Sequence, residues 1–248
     1  MNSSDDLSQT STIPMKTKIL FNILTMAAAS VLAADSSPKD DVTSAAKTLA
    51  QKDNYSWKST MDFGNFSTTT EGKTDKGGLA ALALTTGDNT REVFLKGGKG
   101  VVKTPEEGWQ SLTEIEAASS GGRGRQFMLR RLQNFKTPAD EAVNLVGKAA
   151  ELKKDGDAYS GDLTEAGAKE LLSLGRPRSA DAPEPKNAKG SVKFWIKDGG
   201  ISKYELKQQG TVRFGDNDRD LDGTTTVEIK DVGTTKIEIP DAAKKKLS

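Results

Sequence analysis

The chain has 248 residues, 34% of them apolar, and its 36 basic and 35 acidic side chains leave a formal net charge of +1. It contains no cysteine and no histidine. These two absences exclude disulfides, thiolate and imidazole metal sites, and the Ser-His-Asp and Cys-His nucleophile systems, while the balanced charge gives no general attraction for nucleic acid or an anionic membrane. Paired carboxylates, a Ser-Lys pair or a carboxylate-bound divalent ion could still support catalysis. No cluster of such groups is set up by spacing, so the expectation is a protein that is not an enzyme and needs no cofactor.

Met15-Lys16-Thr17-Lys18 is a short basic start to the apolar run Ile19–Ala33. Val31 and Ala33 place small residues at −3 and −1 of a cleavage site, and Ala34-Asp35-Ser36-Ser37 turns polar at once. This pattern predicts a secretory signal peptide starting at Met15 and cleaved after Ala33. The run is shorter than the roughly 20 residues that a membrane-spanning helix needs. The reading is therefore a leader over 1–33 and a single exported domain over 34–248, located in the periplasm or secreted.

Ser37-Pro38-Lys39-Asp40 reads as an N-cap with proline at the first helical position, followed by Val42, Ala45, Ala46, Leu49 and Ala50 on one helix face. Alternation then sets Tyr55, Trp57, Met61 and Phe63 against Ser56, Lys58, Thr60 and Asp62, the mark of a half-buried strand. Strands are also predicted over 67–74, 79–86, 92–96 and 101–103, separated by Gly-rich turns short enough to require antiparallel pairing. Thr104-Pro105-Glu106-Glu107 matches a capping box and predicts a helix carrying Trp109, Leu112 and Ile115. Ser119-Ser120-Gly121-Gly122 breaks it. Further helices are expected over 125–135, from Thr137-Pro138-Ala139-Asp140 onward, and from about Thr164 to Leu174. A loop is expected over 175–190. Strands resume over 191–197, 201–208, 211–214, 224–231 and 235–239, and Pro240-Asp241 opens a short basic helix. Strands, then helices, then strands give an α+β layout with one antiparallel sheet and the helical insert on one face.

Two stretches carry a family resemblance. Gly190–Glu205 looks like an aromatic strand turning through Asp198-Gly199 and returning with a basic residue, and Val227–Pro240 looks like a closing strand that ends Ile237-Glu238-Ile239-Pro240. With the element order, they make the chain resemble the LolA-like fold: the bacterial outer-membrane lipoprotein carrier and the LppX/LprG lipoproteins. The resemblance implies a curved antiparallel half-barrel, with an N-terminal helix and mid-chain helices packed on the concave face. It also implies a carrier of lipid-like apolar ligands or lipoproteins. The sequence has no lipobox cysteine, so the expected protein is soluble and monomeric, with lipid or acylated protein as partner, no nucleic acid and no permanent membrane insertion. A filled-core structural module of the cell envelope is the alternative.

The concave face would present Tyr55, Trp57, Met61, Phe63, Leu82, Leu84, Phe94, Phe194, Ile196, Val227 and Ile229 to a ligand. Asp218, Asp220 and Asp222 match the opening of an EF-hand loop, but its twelfth position falls on Ile229 rather than a glutamate, which favours a solvated hairpin turn over a calcium site. Arg123, Arg125, Arg130 and Arg131 around Phe127, Met128 and Leu129 read as a lid helix with a solvated basic face. An anionic-lipid patch is the sharper alternative.

Overall fold

Ser37 opens α1 (Pro38–Ala50) by a reciprocal capping box with Asp40, and Val42, Ala45, Ala46 and Leu49 form its buried stripe. A run of antiparallel strands follows: β1 (Asn54–Asp62), β2 (Ser67–Asp75), β3 (Leu79–Thr86), β4 (Asn89–Lys96), β5 (Lys99–Thr104) and β6 (Gly108–Ser111). Three helices come next, α2 (Leu112–Ala117), α3 (Arg123–Gln133) and α4 (Pro138–Lys148), then a hairpin of β7 (Lys153–Asp155) and β8 (Ala158–Asp162), then α5 (Glu165–Leu172). The chain ends with β9 (Lys186–Lys197), β10 (Gly200–Phe214), β11 (Asn217–Lys230) and α6 (Asp241–Leu247). This computed structural model describes residues 36–64, 66–118, 123–173, 183–214 and 217–247. The leader and the Ser119–Gly122 helix break lie outside them.

All the strands form one 11-stranded sheet in the order β6-β5-β4-β3-β2-β1-β11-β10-β9-β8-β7. Every neighbouring pair is antiparallel, and β6 and β7 remain as edges, so the sheet is curved but not closed into a barrel. The fold class is α+β. The last long strand returns beside the first, which makes the β1–β11 pairing the seam between the early and late meanders. Asp198-Gly199 makes the β9–β10 turn with φ of 52° and 74°, as a two-residue type I′ hairpin requires.

One face of the sheet carries the main core. There α1, α2, α3, α4 and α5 bury their apolar stripes against β1–β5 and β8–β11. The opposite face is open over most of its area, except where α6 and Ile237 and Ile239 cover Leu79, Phe94, Val101 and Trp109.

Several expectations are corrected. Thr104 caps no helix: Pro105–Glu107 is the turn between β5 and β6, Gly108 has φ of 70°, and Trp109 lies in a strand. The Thr104 hydroxyl does accept the Glu107 N–H at 3.3 Å, but it donates to the Gly108 carbonyl at 3.1 Å and so closes a hairpin. The capping box belongs to Ser111 and Glu114 at the head of α2. The loop expected over 175–190 gives way to β9 at Lys186, where Lys186 pairs with Thr211 and Gly190 with Gln208. Thr235–Ile239 is an irregular strap rather than a strand, and β7 and β8 appear where no strand was expected.

Asp218, Asp220 and Asp222 are neither a hairpin turn nor an EF-hand loop. They occupy alternate positions of β11, and their carboxylates bond Lys186 at 3.2 Å, Thr211 at 2.7 Å and Gln209 at 2.9 Å. A D-x-D-x-D run fits a strand's period of two when such partners stand opposite it. β10 ends at Phe214, which pairs with Asn217 at the start of β11.

Candidate functional site: the concave face of the sheet

The strand registers place the side chains of the helix-covered face in transverse rows. One row runs Val93, Leu82, Gly72, Trp57, Ile229 across β4, β3, β2, β1 and β11. The next runs Leu84, Thr70, Ser59, Val227, Tyr204, Phe194, Tyr159, and the one beyond it Thr86, Thr68, Met61, Thr225, Leu206. Trp57 stacks on Phe135, which follows α3, with ring centroids 6.2 Å apart and planes at 22°. Phe194 and Tyr204 meet at 6.1 Å.

Polar groups fix the helices to this face. The Tyr204 hydroxyl donates to the Glu141 carboxylate on α4, and the Tyr159 hydroxyl donates to Asp41 on α1 at 3.1 Å. Burial pushes the Glu141 carboxyl above the usual range. The Tyr204 O–H and the nearby cations Arg131 and Lys136 offset that rise only in part. Burial and the Glu141 charge together hold the Tyr204 phenol well above its ordinary value. The Tyr55 hydroxyl is buried beside Thr137 and the Ala139 backbone at the head of α4, without a well-formed hydrogen bond among the described residues, and burial raises its phenol as well.

Of the eleven candidate residues, five are core: Tyr55, Trp57, Leu82, Phe194 and Val227 are at most 5% exposed. Leu84, Ile196 and Ile229 are partly buried against that core. Met61 and Phe63 are half-buried at the β1–β2 end, where the Phe63 ring lies over Gly223 of β11. Phe94 is a correction. It faces the opposite side, packs on Trp109 at 5.3 Å and is covered by α6, while its neighbours Val93 and Leu95 point into the main core.

Burial along this face fades in one direction on β1, β3 and β11, while on β2 and β10 it persists to Thr68 and Val212. On β1 it falls from Tyr55 and Trp57 to half-buried Ser59, Met61 and Phe63; on β3 from Leu82 to Leu84 to exposed Thr86. On β11 it falls from Val227, Thr225 and Gly223 to Leu221 and then exposed Arg219. Phe66, in the β1–β2 turn, is 51% exposed. The outer side chains of β1, β3 and β11 are thus more exposed than the inner ones, and Met61, Phe63, Leu84 and Leu221 form a partly exposed apolar margin beside the core. Of α3, at the rim, Leu129 and Leu132 are buried and Arg125 and Arg131 are exposed, and Arg91 reaches the Met128 sulfur at 3.2 Å.

Sequence reading missed Thr68, Thr70, Tyr204, Thr225 and Gln208 on this face. The first two gave little signal: Thr68 and Thr70 stand in the uncharged run Ser67–Thr70, and only Gly72 and Thr74 alternate with the charges Glu71, Lys73 and Asp75. Two grooves of the described residues lie on the opposite face, where charged side chains are mixed with apolar ones such as Ala81, Phe94 and Ile237. One, of ≈ 650 Å³, is lined by Lys58, Glu71, Lys73, Lys236 and Glu238 among others; the second, of ≈ 540 Å³, includes Lys153, Lys193 and Lys207.

No protein-family model matches the sequence, and none of the curated proteins does. Solved structures do. LprF from Mycobacterium bovis is 11% identical at a TM-score of 0.46, covering 83% of this chain and 97% of its own. The Mycobacterium tuberculosis lipoprotein LppX is 8% identical at 0.44, covering 81% and 97%. A DUF1329 family protein from Desulfovibrio piger is 10% identical at 0.30, covering 84% and 97%. The likeness to these structures is one of fold alone.

Proposed function

We propose that this is an exported, non-enzymatic binder or carrier of lipid-like apolar ligands, acting as a monomer and taking its ligand at the partly exposed margin of the concave face. The observation that carries the reading is the fading burial: Met61, Phe63, Leu84, Leu221 and Phe66 stay partly or largely exposed beside the buried core. An apolar chain laid on that surface would gain roughly 0.8 kcal/mol for each CH₂ removed from water. The chain's own chemistry favours a binder over an enzyme, because it lacks both histidine and cysteine.

Native mass spectrometry and lipid extraction of the protein purified from its host test the reading. Trp57 and Phe194 are unsuitable sites for the disrupting charge, because they are 5% and 0% exposed and an aspartate there would unfold the protein. Met61→Asp and Leu84→Asp at the half-buried margin should remove co-purifying lipid while the fold persists. A second reading, a structural module with a filled core, is favoured by the depth at which Tyr55, Phe194 and Tyr204 lie beneath the helices. A protein that carries no lipid and binds no apolar dye leaves that reading standing. Export is tested separately: N-terminal sequencing from a periplasmic fraction should begin at Ala34.

A further inference from the structure

The strap Thr235-Lys236-Ile237-Glu238-Ile239 has the composition of a strand and the side-chain alternation of one: Thr235, Ile237 and Ile239 are half-buried, Lys236 and Glu238 exposed. Ile237 and Ile239 pack on the cluster of Leu79, Phe94 and Val101, so the segment crosses the outer face of the sheet instead of joining its edge. No strand pairs with it among the described residues. The Thr235 N–H bonds the Asn54 side-chain oxygen at 2.7 Å, and the Lys73 ammonium reaches the Lys236 carbonyl at 3.4 Å. The N–H groups of Lys236, Ile237, Glu238 and Ile239 have no partner among the described residues. A row of unpaired backbone donors and acceptors is what an edge strand offers to another chain.

The two side-chain contacts orient the strap. Asn54 pairs with Asp75, and Ser56 with Lys73 one same-face step further along β1 and β2. The strap runs between these rows, with the Thr235 N–H directed to the first and the Lys236 carbonyl to the second. In an extended segment the N–H and C=O of one residue point to one edge and those of the next to the other. Lys236 and Glu238 therefore present their backbone groups on the Lys73 side.

That side is a groove of ≈ 650 Å³, walled by Lys236, Ile237 and Glu238 and floored by the outer face of the sheet. Its floor is set by register: Lys58 faces Glu71 and Ser56 faces Lys73 on β1 and β2, and Ala83 and Ala81 continue the two rows on β3. The two alanines leave a shallow apolar dent between longer neighbours. Lys58, Lys73 and Glu71 have no ion-pair partner among the described residues, whereas Lys230 and Glu92 at the margins are taken by Glu228 and Lys103. The floor thus keeps a cation in excess next to the dent.

We propose that the strap is a docking edge for an extended segment of another polypeptide, which pairs with the Lys236–Glu238 backbone and lies in the groove. With same-face side chains ~6.8 Å apart along such a segment and sheet strands ~4.8 Å apart beneath it, two successive floor-facing residues fall over β1–β2 and over β3. The first meets Lys58 and Lys73 and is matched by a carboxylate. The second meets Ala81 and Ala83 and is matched by an aliphatic side chain. The groove is on the face opposite the margin at Met61 and Phe63, so docking leaves that margin free and holds whether or not lipid binds there.

The test follows a capped, fluorescein-labelled heptapeptide, Thr-Glu-Thr-Val-Thr-Val-Thr, by fluorescence anisotropy on the full chain. Three analogues accompany it: one with lysine for glutamate, and two N-methylated on one or the other set of alternate amides. Wild type should bind the parent peptide and prefer it to the lysine analogue. One N-methylated analogue should bind about tenfold more weakly and the other nearly as well as the parent, because only one peptide edge faces the strap. Glu238→Pro removes a groove-edge donor and no internal hydrogen bond, so it should weaken the parent peptide about tenfold at unchanged unfolding temperature. Lys58→Glu combined with Lys73→Glu should reverse the preference between the glutamate and lysine peptides. No binding of the parent peptide by wild type, equal binding of both N-methylated analogues and the parent, or an unchanged preference in the double variant overturns the proposal. A dimer seen by sedimentation equilibrium and dissolved by Glu238→Pro gives the edge to a second copy of this chain and overturns it as well. Should Glu238→Pro fail to fold, the N-methylated pair on wild type decides alone.

Discussion

The indole of Trp57 on β1 lies directly over Gly72 on β2, so closely that a Cβ at Gly72 would fall 2.1 Å from the ring. A missing side chain on one strand thus makes room for the largest side chain of its neighbour, and the ring in turn covers the backbone that glycine exposes. Trp57 is 5% exposed and backed by Phe135, so it has nowhere to move. Gly72→Ala should therefore destabilise the protein by about 3 kcal/mol, an overpacking cost, measurable by urea unfolding. Gly223 bears the same relation to Phe63, with a Cβ 2.2 Å from that ring. Phe63 is half-buried and can swing toward solvent, so Gly223→Ala should cost about 1 kcal/mol. Equal costs at the two sites would contradict the burial gradient that defines the exposed margin.

Gly147 supplies the opposite case. It lies inside α4 with open space where a Cβ would go and no positive φ. Gly147→Ala should stabilise the fold by about 0.5–1 kcal/mol by restricting the unfolded chain. Thermal unfolding of the single variant checks it.

Glu141 and Tyr204 join α4 to the sheet and make stability depend on pH. Burial raises the folded-state pKa of Glu141 above its unfolded value, so the folded protein holds this proton over a pH range where the unfolded chain has released it. That contribution is fully present below the unfolded pKa of about 4.5 and is lost as pH rises through the folded one. Wild type should therefore lose stability across that interval. Glu141→Gln keeps an acceptor for Tyr204 and cannot titrate, so its stability should be flat over the same interval. A Glu141→Gln profile that falls in parallel with wild type would place the effect on another group.

The strands were legible where apolar and polar residues alternate and the opposite face is left to solvent, as at Tyr55–Trp57 and Val192–Phe194. Alternation failed at Val93-Phe94-Leu95, where all three are buried. There the second face is covered by α6, about 150 residues later in the chain, and no local pattern reveals which side faces the helices. Thr104 misled for a different reason: an N-cap and this hairpin turn make the same hydroxyl-to-backbone hydrogen bond, and only the φ > 0 position at Gly108 separates them. The burial of Thr68, Thr70 and Thr225 was hidden because threonine suits a solvated strand face and a buried one alike. Which face Thr68, Thr70 and Thr225 occupy is set by register with β1 and β11, a long-range property.

The C-terminal helix wraps the β6 edge and is tied at its end by Lys246, whose ammonium pairs with Glu114 of α2. That contact comes first among the causes that bring the Glu114 carboxyl down to about 2, followed by its capping bonds with the Ser111 backbone and hydroxyl. A lowered folded-state pKa contributes stability above the unfolded value and loses it as pH falls through the folded one. Acid should therefore loosen both the α2 cap and the α6 tie between about pH 4.5 and about 2. The reporter is Trp109, which packs on Phe94 in the cluster that Ala243 and Leu247 of α6 complete. Its assigned indole N–H resonance should shift in that interval, with Glu114 titrating near 2 by carboxyl NMR. Lys246→Ala should move the Glu114 midpoint upward only part of the way to 4.5, because the Ser111 bonds remain. A midpoint unchanged in Lys246→Ala would mean that the cap alone holds the carboxylate, and that α6 is kept in place by Ala243 and Leu247 without help from the ion pair.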